Sequence, residues 1–213
     1  MNIIVKKTIL ILFLFTSLLL AQTTKQWKDD LKLIKDKYIH YHIDPFNKID
    51  ESRFLQKETV IENNLTKMNR SEIITSIMNL IASIGDGHTY YMIDSLKIFP
   101  VQIYSFENGY YLTNITSPYK DLIGTKLIEI NNIPIKKIQA NIKDLISYDS
   151  ELQMKSRLPV YMIIYEVLKG KGLIDGPEIT LTLENQAGRK QKINLTPLSL
   201  SSQEGKSNRL KSK

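Results

Sequence analysis

The sequence contains no cysteine, and it has only nine glycines and seven prolines among 213 residues. The lack of cysteine excludes a disulfide framework, a thiolate metal site and a cysteine nucleophile. The modest glycine and proline content excludes a collagen-like or low-complexity chain. Hydrophobic residues make up 42% of the sequence, which is enough for a packed core and excludes wholesale disorder. The length corresponds to one domain or two small ones.

The positive charge of the chain is concentrated near its two ends. The formal net charge is +7, of which Lys6 and Lys7 contribute two charges. Residues 203–213, with four basic side chains and one acidic side chain, contribute three more, so the body between carries only +2. Because a nucleic-acid backbone is bound by a continuous basic surface, this distribution argues against a nucleic-acid partner.

The first 21 residues have the pattern of a secretory signal peptide. Lys6 and Lys7 precede the 13-residue apolar run TILILFLFTSLLL, and Ala21 follows it. The run is shorter than the roughly 20 apolar residues that a bilayer-spanning helix needs. The pattern predicts an exported protein, periplasmic or extracellular, that is cleaved near Ala21 and begins at Gln22. Leu19 is larger than the small residue usual at that position, which leaves an uncleaved anchor as the alternative.

Helical periodicity dominates the sequence over 22–90. The apolar face of a first helix consists of Trp27, Leu31, Ile34 and Tyr38. A second helix is expected over about 51–65. Asn69 and Glu72 have the spacing of a capping box, which predicts a third helix ending at Gly85.

Strand-forming residues dominate the sequence over 91–197. Strands are predicted at about 90–93, 98–104, 109–115, 126–131, 178–184 and 189–195. Asn108-Gly109 is typical of a hairpin turn, and Asn131-Asn132 can adopt left-handed backbone angles at little cost. Helices are expected at about 136–147 and 152–168.

The predicted fold class is α+β. A small helical domain at 22–90 precedes a β-rich domain at 91–197. The segment 198–213 is polar and basic, so we expect it to form a disordered tail.

His88 is the histidine with the most suggestive surroundings. It lies in GDGHT (85–89), just after the third predicted helix. Two glycines permit a tight turn that brings the backbone close to another group, and Asp86 could orient or charge-pair the imidazole. A general base needs an imidazole that is held firmly beside the proton it accepts. A purely structural turn is the alternative interpretation of the same segment.

The other two histidines give weaker evidence of a functional site, and known catalytic motifs are absent from the sequence. His40 and His42 could form half of a metal site, but no third ligand has suitable spacing, and ordinary loop residues are the simpler interpretation. The sequence contains no nucleophile elbow, no Ser-x-x-Lys box, no phosphate-binding loop and no EF-hand pattern. It therefore indicates no metal or organic cofactor.

Five segments occur in a fixed order: W-x3-L-x6-Y, H-x-D-P-F, IASIGDGHT, FPVQIYSFENGYYL and IGTKLIEINNIPI. This order, from Trp27 to Pro197, resembles the C-terminal-processing serine peptidases of the tricorn type. The resemblance implies that the domain at 91–197 is PDZ-like and that a crotonase-like domain with the nucleophilic serine follows. It also implies that His88 is the general base for that serine. Asn132 replaces the usual glycine of the PDZ-like turn and tolerates the same left-handed geometry.

The resemblance places the catalytic serine outside this sequence. Ser199, Ser201 and Ser202 lie in the polar tail and are not substitutes, and a base without its nucleophile does not make a hydrolase. We therefore expect the noncatalytic N-terminal part of an exported serine peptidase, with the serine supplied by another domain or chain. The alternatives are a PDZ-like module that binds a peptide or protein C-terminus as an added strand, and an inactive remnant.

Overall fold

The computed structural model describes residues 22–46 and 48–199, so the predicted signal peptide and residues 200–213 of the predicted tail lie outside the described residues. The chain divides into two compact units, with the boundary between Ile43 and Asp44. Helices and antiparallel strands occur together, which confirms the α+β class. No helix in these two ranges is both long enough and apolar enough to span a membrane. The division predicted near residue 90 stays a prediction.

The described part of the first unit is one helix, α1 (Thr24–Tyr41). Its predicted apolar face is confirmed by the burial of Trp27, Leu31 and Tyr38. A capping box that the sequence analysis did not identify begins the helix. The Thr23 N–H donates to Gln26 Oε1 over 2.7 Å, and the Gln26 N–H donates to the Thr23 hydroxyl oxygen over 3.3 Å.

The second unit begins with two helices, α2 (Glu51–Asn64) and α3 (Arg70–Ala82). The predicted capping box of α3 is confirmed, because Asn69 Oδ1 accepts from the Glu72 N–H and Glu72 Oε2 accepts from the Asn69 N–H. The predicted apolar stripe is buried at Ile73, Ile77, Leu80, Ile81 and Ile84. The helix itself ends at Ala82, and Gly85, with φ +74°, then redirects the chain.

The strands of the second unit are β1 (Lys97–Ile98), β2 (Val101–Phe106), β3 (Gly109–Ile115), β4 (Lys126–Ile130), β5 (Ile133–Pro134), β6 (Ile179–Glu184), β7 (Lys190–Leu195) and β8 (Leu198–Ser199). The larger sheet is antiparallel, with the order β2-β3-β4-β6-β7 and with β5 paired to β4. Strands β2 and β7 are therefore its two edges.

The remaining helices are α4 (Ile135–Ile142), α5 (Glu151–Tyr161) and α6 (Tyr165–Gly170), with 3-10 turns at Lys120–Leu122 and Lys143–Leu145. Helix α3 packs on α6, α4 on β4, and α5 on β2. The core lies between these helices and the sheet, and its fully buried side chains include Phe54, Ile74, Phe99, Leu112 and Ile138.

Two predicted turns are present in the structure. Asn131 and Asn132 have φ values of +50° and +61° between β4 and β5, which confirms their left-handed geometry. The β2–β3 hairpin is also confirmed, but Phe106 pairs with Gly109, so its loop residues are Glu107 and Asn108. The turn thus lies one residue earlier than the sequence suggested.

Three local predictions are wrong because tertiary pairing decides them. Residues 90–93 form no strand. The helix predicted over 152–168 is interrupted, since the Ile163 carbonyl accepts from the Phe99 N–H over 2.8 Å and leaves the helical pattern. Leu198 and Ser199, which the sequence analysis assigned to a disordered tail, form β8 by pairing with β1.

Candidate functional site

The loop that carries His88 is fixed internally by Asp86. The Asp86 Oδ1 atom accepts from the His88 N–H over 2.9 Å, and Oδ2 accepts from the Thr89 hydroxyl over 2.5 Å. The Thr89 N–H also donates to the Asp86 carbonyl over 3.2 Å. A short aspartate side chain that bonds the backbone two residues ahead is a common way to hold a tight turn. Asp86 therefore shapes the loop, and the carboxylate of another residue also lies near the imidazole.

That residue is Asp149, which lies just before helix α5. Its Oδ2 atom is 4.0 Å from His88 Nε2, and its Oδ1 atom accepts from the Gly87 N–H over 2.9 Å. Gly87 is buried, and a Cβ atom at this position would overlap the side-chain ends of Asp149 and Gln153. The absence of a side chain at Gly87 thus allows close approach of the loop to the start of α5.

Two cationic side chains hold the loop from other parts of the second unit. Arg157, on α5, donates to the Gly87 carbonyl over 2.6 Å and also to the Ser147 carbonyl. Its guanidinium lies 5.9 Å from the ring centroid of Tyr90. Lys48 donates to the Gly85 carbonyl over 2.5 Å. The loop therefore has fixed anchors on both its N–H and its carbonyl groups.

The His88 side chain itself points away from these anchors into solvent. It is 90% exposed, whereas the Asp149 side chain is 45% exposed. Among the described residues, no hydroxyl group hydrogen-bonds to the imidazole. The result is a freely accessible imidazole on a held backbone. It can accept and release protons, but it needs a nucleophile from elsewhere to perform acyl transfer.

The sequence analysis did not identify Asp149, Gln153 or Arg157. These residues lie more than 60 positions after the loop that they contact, and no local pattern marks them. Sequence periodicity reports which face of a helix is buried, but it does not report which distant loop that face contacts.

A shallow depression of about 540 Å³ adjoins the site. It is lined by Asp149, Ser150, Leu152, Gln153 and Ser156. Both of its serines serve helix α5: the Ser150 hydroxyl oxygen accepts from the Gln153 N–H over 3.2 Å, and the Ser156 hydroxyl donates to the Gln153 carbonyl over 2.9 Å. Neither serine has the contacts of an activated nucleophile.

The other two histidines make local contacts within α1 and just after it. The His40 ring nitrogen Nδ1 lies 2.7 Å from the Asp36 carbonyl oxygen, and the His42 ring is 4.9 Å from the Tyr38 ring. Over 22–46 and 48–199, no three histidine, aspartate or glutamate side chains are grouped as metal ligands.

Comparison with known proteins supports a peptidase-like fold. No protein-family model matches the chain, and no curated protein matches it. The fold is similar to that of mature CPAF, a chlamydial serine protease of the C-terminal-processing type, in complex with lactacystin: the TM-score is 0.61, the identity 12%, and the match covers 82% of this chain and 35% of that chain. A second structure of mature CPAF gives a TM-score of 0.60 at 13% identity, over 82% of this chain and 34% of that chain.

The chain thus spans about a third of the length of these structures. At such low identity the likeness shows the fold alone. It therefore supports the resemblance stated from the sequence only as far as the fold is concerned. The catalytic roles of individual residues are proposals.

Proposed function

We propose that this chain is the N-terminal part of an exported serine peptidase of the tricorn type and that His88 is its general base. One observation carries the proposal: an imidazole that is 90% exposed lies on a loop anchored by Asp149, Arg157 and Lys48. An imidazole that only stabilised the fold would be packed against its neighbours. The peptidase-like fold around it agrees with this role.

In this proposal one ring nitrogen of His88 accepts the hydroxyl proton as the serine oxygen attacks the peptide carbonyl carbon. The imidazolium then gives that proton to the departing amine, and the same nitrogen later activates water for deacylation. The Asp149 carboxylate, 4.0 Å from Nε2, lies within ion-pair distance of the imidazolium that forms in these steps.

The nucleophilic serine is proposed to come from a domain or chain outside 22–199. The two serines that line the adjoining depression, Ser150 and Ser156, bond the backbone of α5 instead. On its own, then, this chain should be inactive as a hydrolase.

Export is part of the same proposal and rests on the sequence pattern of the first 21 residues. Mass spectrometry of the exported fraction should find a mature N-terminus near Gln22. An intact Met1 on a protein confined to the cytoplasm would contradict export, but it would leave the role of His88 open to the tests below.

A peptide-binding role of the β-rich half is the second candidate, and the edge position of β2 favours it. Among the described strands β2 pairs only with β3, and Tyr104 and Phe106 on it are about half exposed. An extended peptide or protein C-terminus could add to this edge as a further strand, as in PDZ domains. Saturable binding of such a peptide, lost when Ser105, whose backbone alternates away from β3, is replaced by proline, would support this role.

The direct test uses an affinity-tagged full chain, purified from the exported fraction and treated with a serine-directed fluorophosphonate. The proposal expects no label on this chain and a labelled serine polypeptide, longer or separate, that hydrolyses peptides in its presence. His88→Ala should lower that hydrolysis by about a hundredfold or more, the scale of a lost general base, while association is kept.

His40→Ala is the matched control, because His40 is exposed on α1 and its ring lies within hydrogen-bonding distance of the Asp36 carbonyl, away from the His88 loop in sequence. It should leave hydrolysis unchanged. Covalent labelling of a serine in this chain would overturn the divided-enzyme proposal, and full activity of His88→Ala would remove His88 from the mechanism.

A further inference from the structure

A cleft of about 460 Å³ in the second unit is lined by side chains that the proposed peptidase role does not use. Helix α2 contributes Arg53 and Lys57, and helix α3 contributes Ser76 and Asn79. The polar lining also includes Gln56 on α2, Thr75 on α3, Asp144 in the 3-10 turn and Lys171 just after α6. The volume is within the range of small-molecule sites, and the lining combines apolar walls with a few fixed polar groups.

One side of the cleft is held by a chain of hydrogen bonds. Lys171 Nζ contacts Asp144 at 2.8 Å, and Asn79 Nδ2 donates to Asp144 Oδ2 over 2.9 Å. The Asn79 Oδ1 atom in turn accepts from Lys57 Nζ over 2.9 Å. The only carboxylate lining the described cleft, that of Asp144, is therefore already bound by Lys171 and Asn79. The same series of hydrogen bonds orients Lys57.

The other side of the cleft carries two cationic side chains, Arg53 and Lys57, that have unused hydrogen-bond donors. Within the described residues the Arg53 guanidinium forms no hydrogen bond or ion pair, and Lys57 uses one of its three donors, on Asn79. Arg53 and Lys57 are four residues apart on α2 and thus face each other on the helix surface, where like charges repel. Burial, together with the nearby Arg53 charge, lowers the pKa of Lys57, and Asp144 opposes this with a smaller effect.

We propose that this cleft binds a phosphate group, with Arg53 and Lys57 as its principal ligands. Three cationic side chains and one carboxylate leave two positive charges in excess, which matches a phosphate dianion better than a single carboxylate. The guanidinium fork can hold two phosphate oxygens at once, and the ammonium supplies a third contact as a point charge. Bound phosphate would also neutralise the repulsion between the two cations. The site does not depend on His88 acting as a base.

The test is isothermal titration of the full chain with inorganic phosphate and, separately, with glycerol 3-phosphate, at an ionic strength held constant with sodium chloride. Saturable binding of one phosphate per chain is expected. The probe that binds more tightly shows whether the site prefers free phosphate or a phosphate ester. Arg53→Gln and Lys57→Gln should each weaken binding by about tenfold or more, because each removes a charged hydrogen-bond donor. Thermal unfolding in the presence of phosphate should show a rise in midpoint that both variants reduce.

Lys67→Gln, an exposed change that does not line the cleft, is the control and should leave the dissociation constant within about twofold, as expected of a site outside the contact network. Arg53 is itself exposed, so Arg53→Gln should fold normally and keeps the test decisive even if Lys57→Gln unfolds. The proposal is overturned if neither probe binds beyond the effect of chloride, if both variants bind like the wild type, or if succinate binds as tightly as phosphate.

Discussion

The Arg157 guanidinium donates a hydrogen bond to the Gly87 carbonyl across 2.6 Å and so connects helix α5 to the loop that carries His88. The same guanidinium bonds the Ser147 carbonyl, and Asp149 accepts from the Gly87 N–H. Both backbone polar groups of Gly87 are thereby satisfied by side chains from one short stretch of sequence. The position of the loop, and of the imidazole on it, depends on this connection.

Replacing Arg157 with methionine tests that connection. The change keeps most of the side-chain bulk but leaves the Gly87 and Ser147 carbonyls without their charged donor. We expect a loss of about 1–3 kcal/mol in the free energy of unfolding, the cost of leaving buried acceptors unsatisfied. Urea denaturation measures it, and hydrogen exchange of the Gly87 amide should accelerate. Lys155→Met, at an exposed position of the same helix, is the control; equal effects of the two changes would argue against the connection.

Gly87→Ala should disturb the same contact from the loop side. The added methyl group would overlap the side-chain ends of Asp149 and Gln153 and displace Asp149 from the Gly87 N–H. A loss of about 1–2 kcal/mol in unfolding free energy is expected, since side-chain rearrangement and a lost hydrogen bond add together. Gly176→Ala provides the comparison, because a Cβ atom there meets nothing within 4 Å. It should change stability by less than about 0.5 kcal/mol.

His88→Ala should behave differently from both loop-anchor changes in the isolated chain. The side chain is 90% exposed, so its removal should change the free energy of unfolding by less than about 0.5 kcal/mol. Equilibrium denaturation of the purified chain provides the measurement. A loss above about 1 kcal/mol, the range for buried polar groups, would favour a structural role of the imidazole.

Stability at alkaline pH should depend on Tyr161, which is 5% exposed on α5. Burial raises the pKa of its phenol above 10.0; Arg157 opposes this effect and Tyr90 adds to it. Because the folded pKa exceeds the unfolded one, the contribution to stability is complete below pH 10 and is lost as the pH rises through the folded pKa. Tyr161→Phe should therefore lose less unfolding free energy than the wild type between about pH 9 and 11.

The matched control for this pH series is Tyr104→Phe, which changes a phenol that is 56% exposed. Its unfolding free energy should follow the wild-type pH dependence. If Tyr161→Phe also followed the wild-type curve, ionisation of the buried phenol would not contribute to alkaline unfolding.

Much of the local structure could be predicted from the sequence because its causes are local. The Asn69–Glu72 capping box and the left-handed Asn131-Asn132 turn each depend on neighbouring residues, and both are present. The α+β class followed from hydrophobic periodicity, which reports only the side chains of one segment. His88 was recognised because its glycine-flanked loop follows a helix with a clear apolar stripe, and resemblance to a peptidase family gave it a proposed role.

What surrounds His88 was decided by the tertiary structure alone. Asp149 and Arg157 reach the loop from more than 60 residues away, and Ile98 pairs with Leu198 across 100 residues. No local pattern encodes such pairings, because backbone groups accept any partner that the packing of the core brings within hydrogen-bonding distance. The sequence by itself determined most of the helical segments and marked His88 as the candidate base. Packing of α5 against the sheet determined that this residue is held at the surface by a carboxylate and a guanidinium.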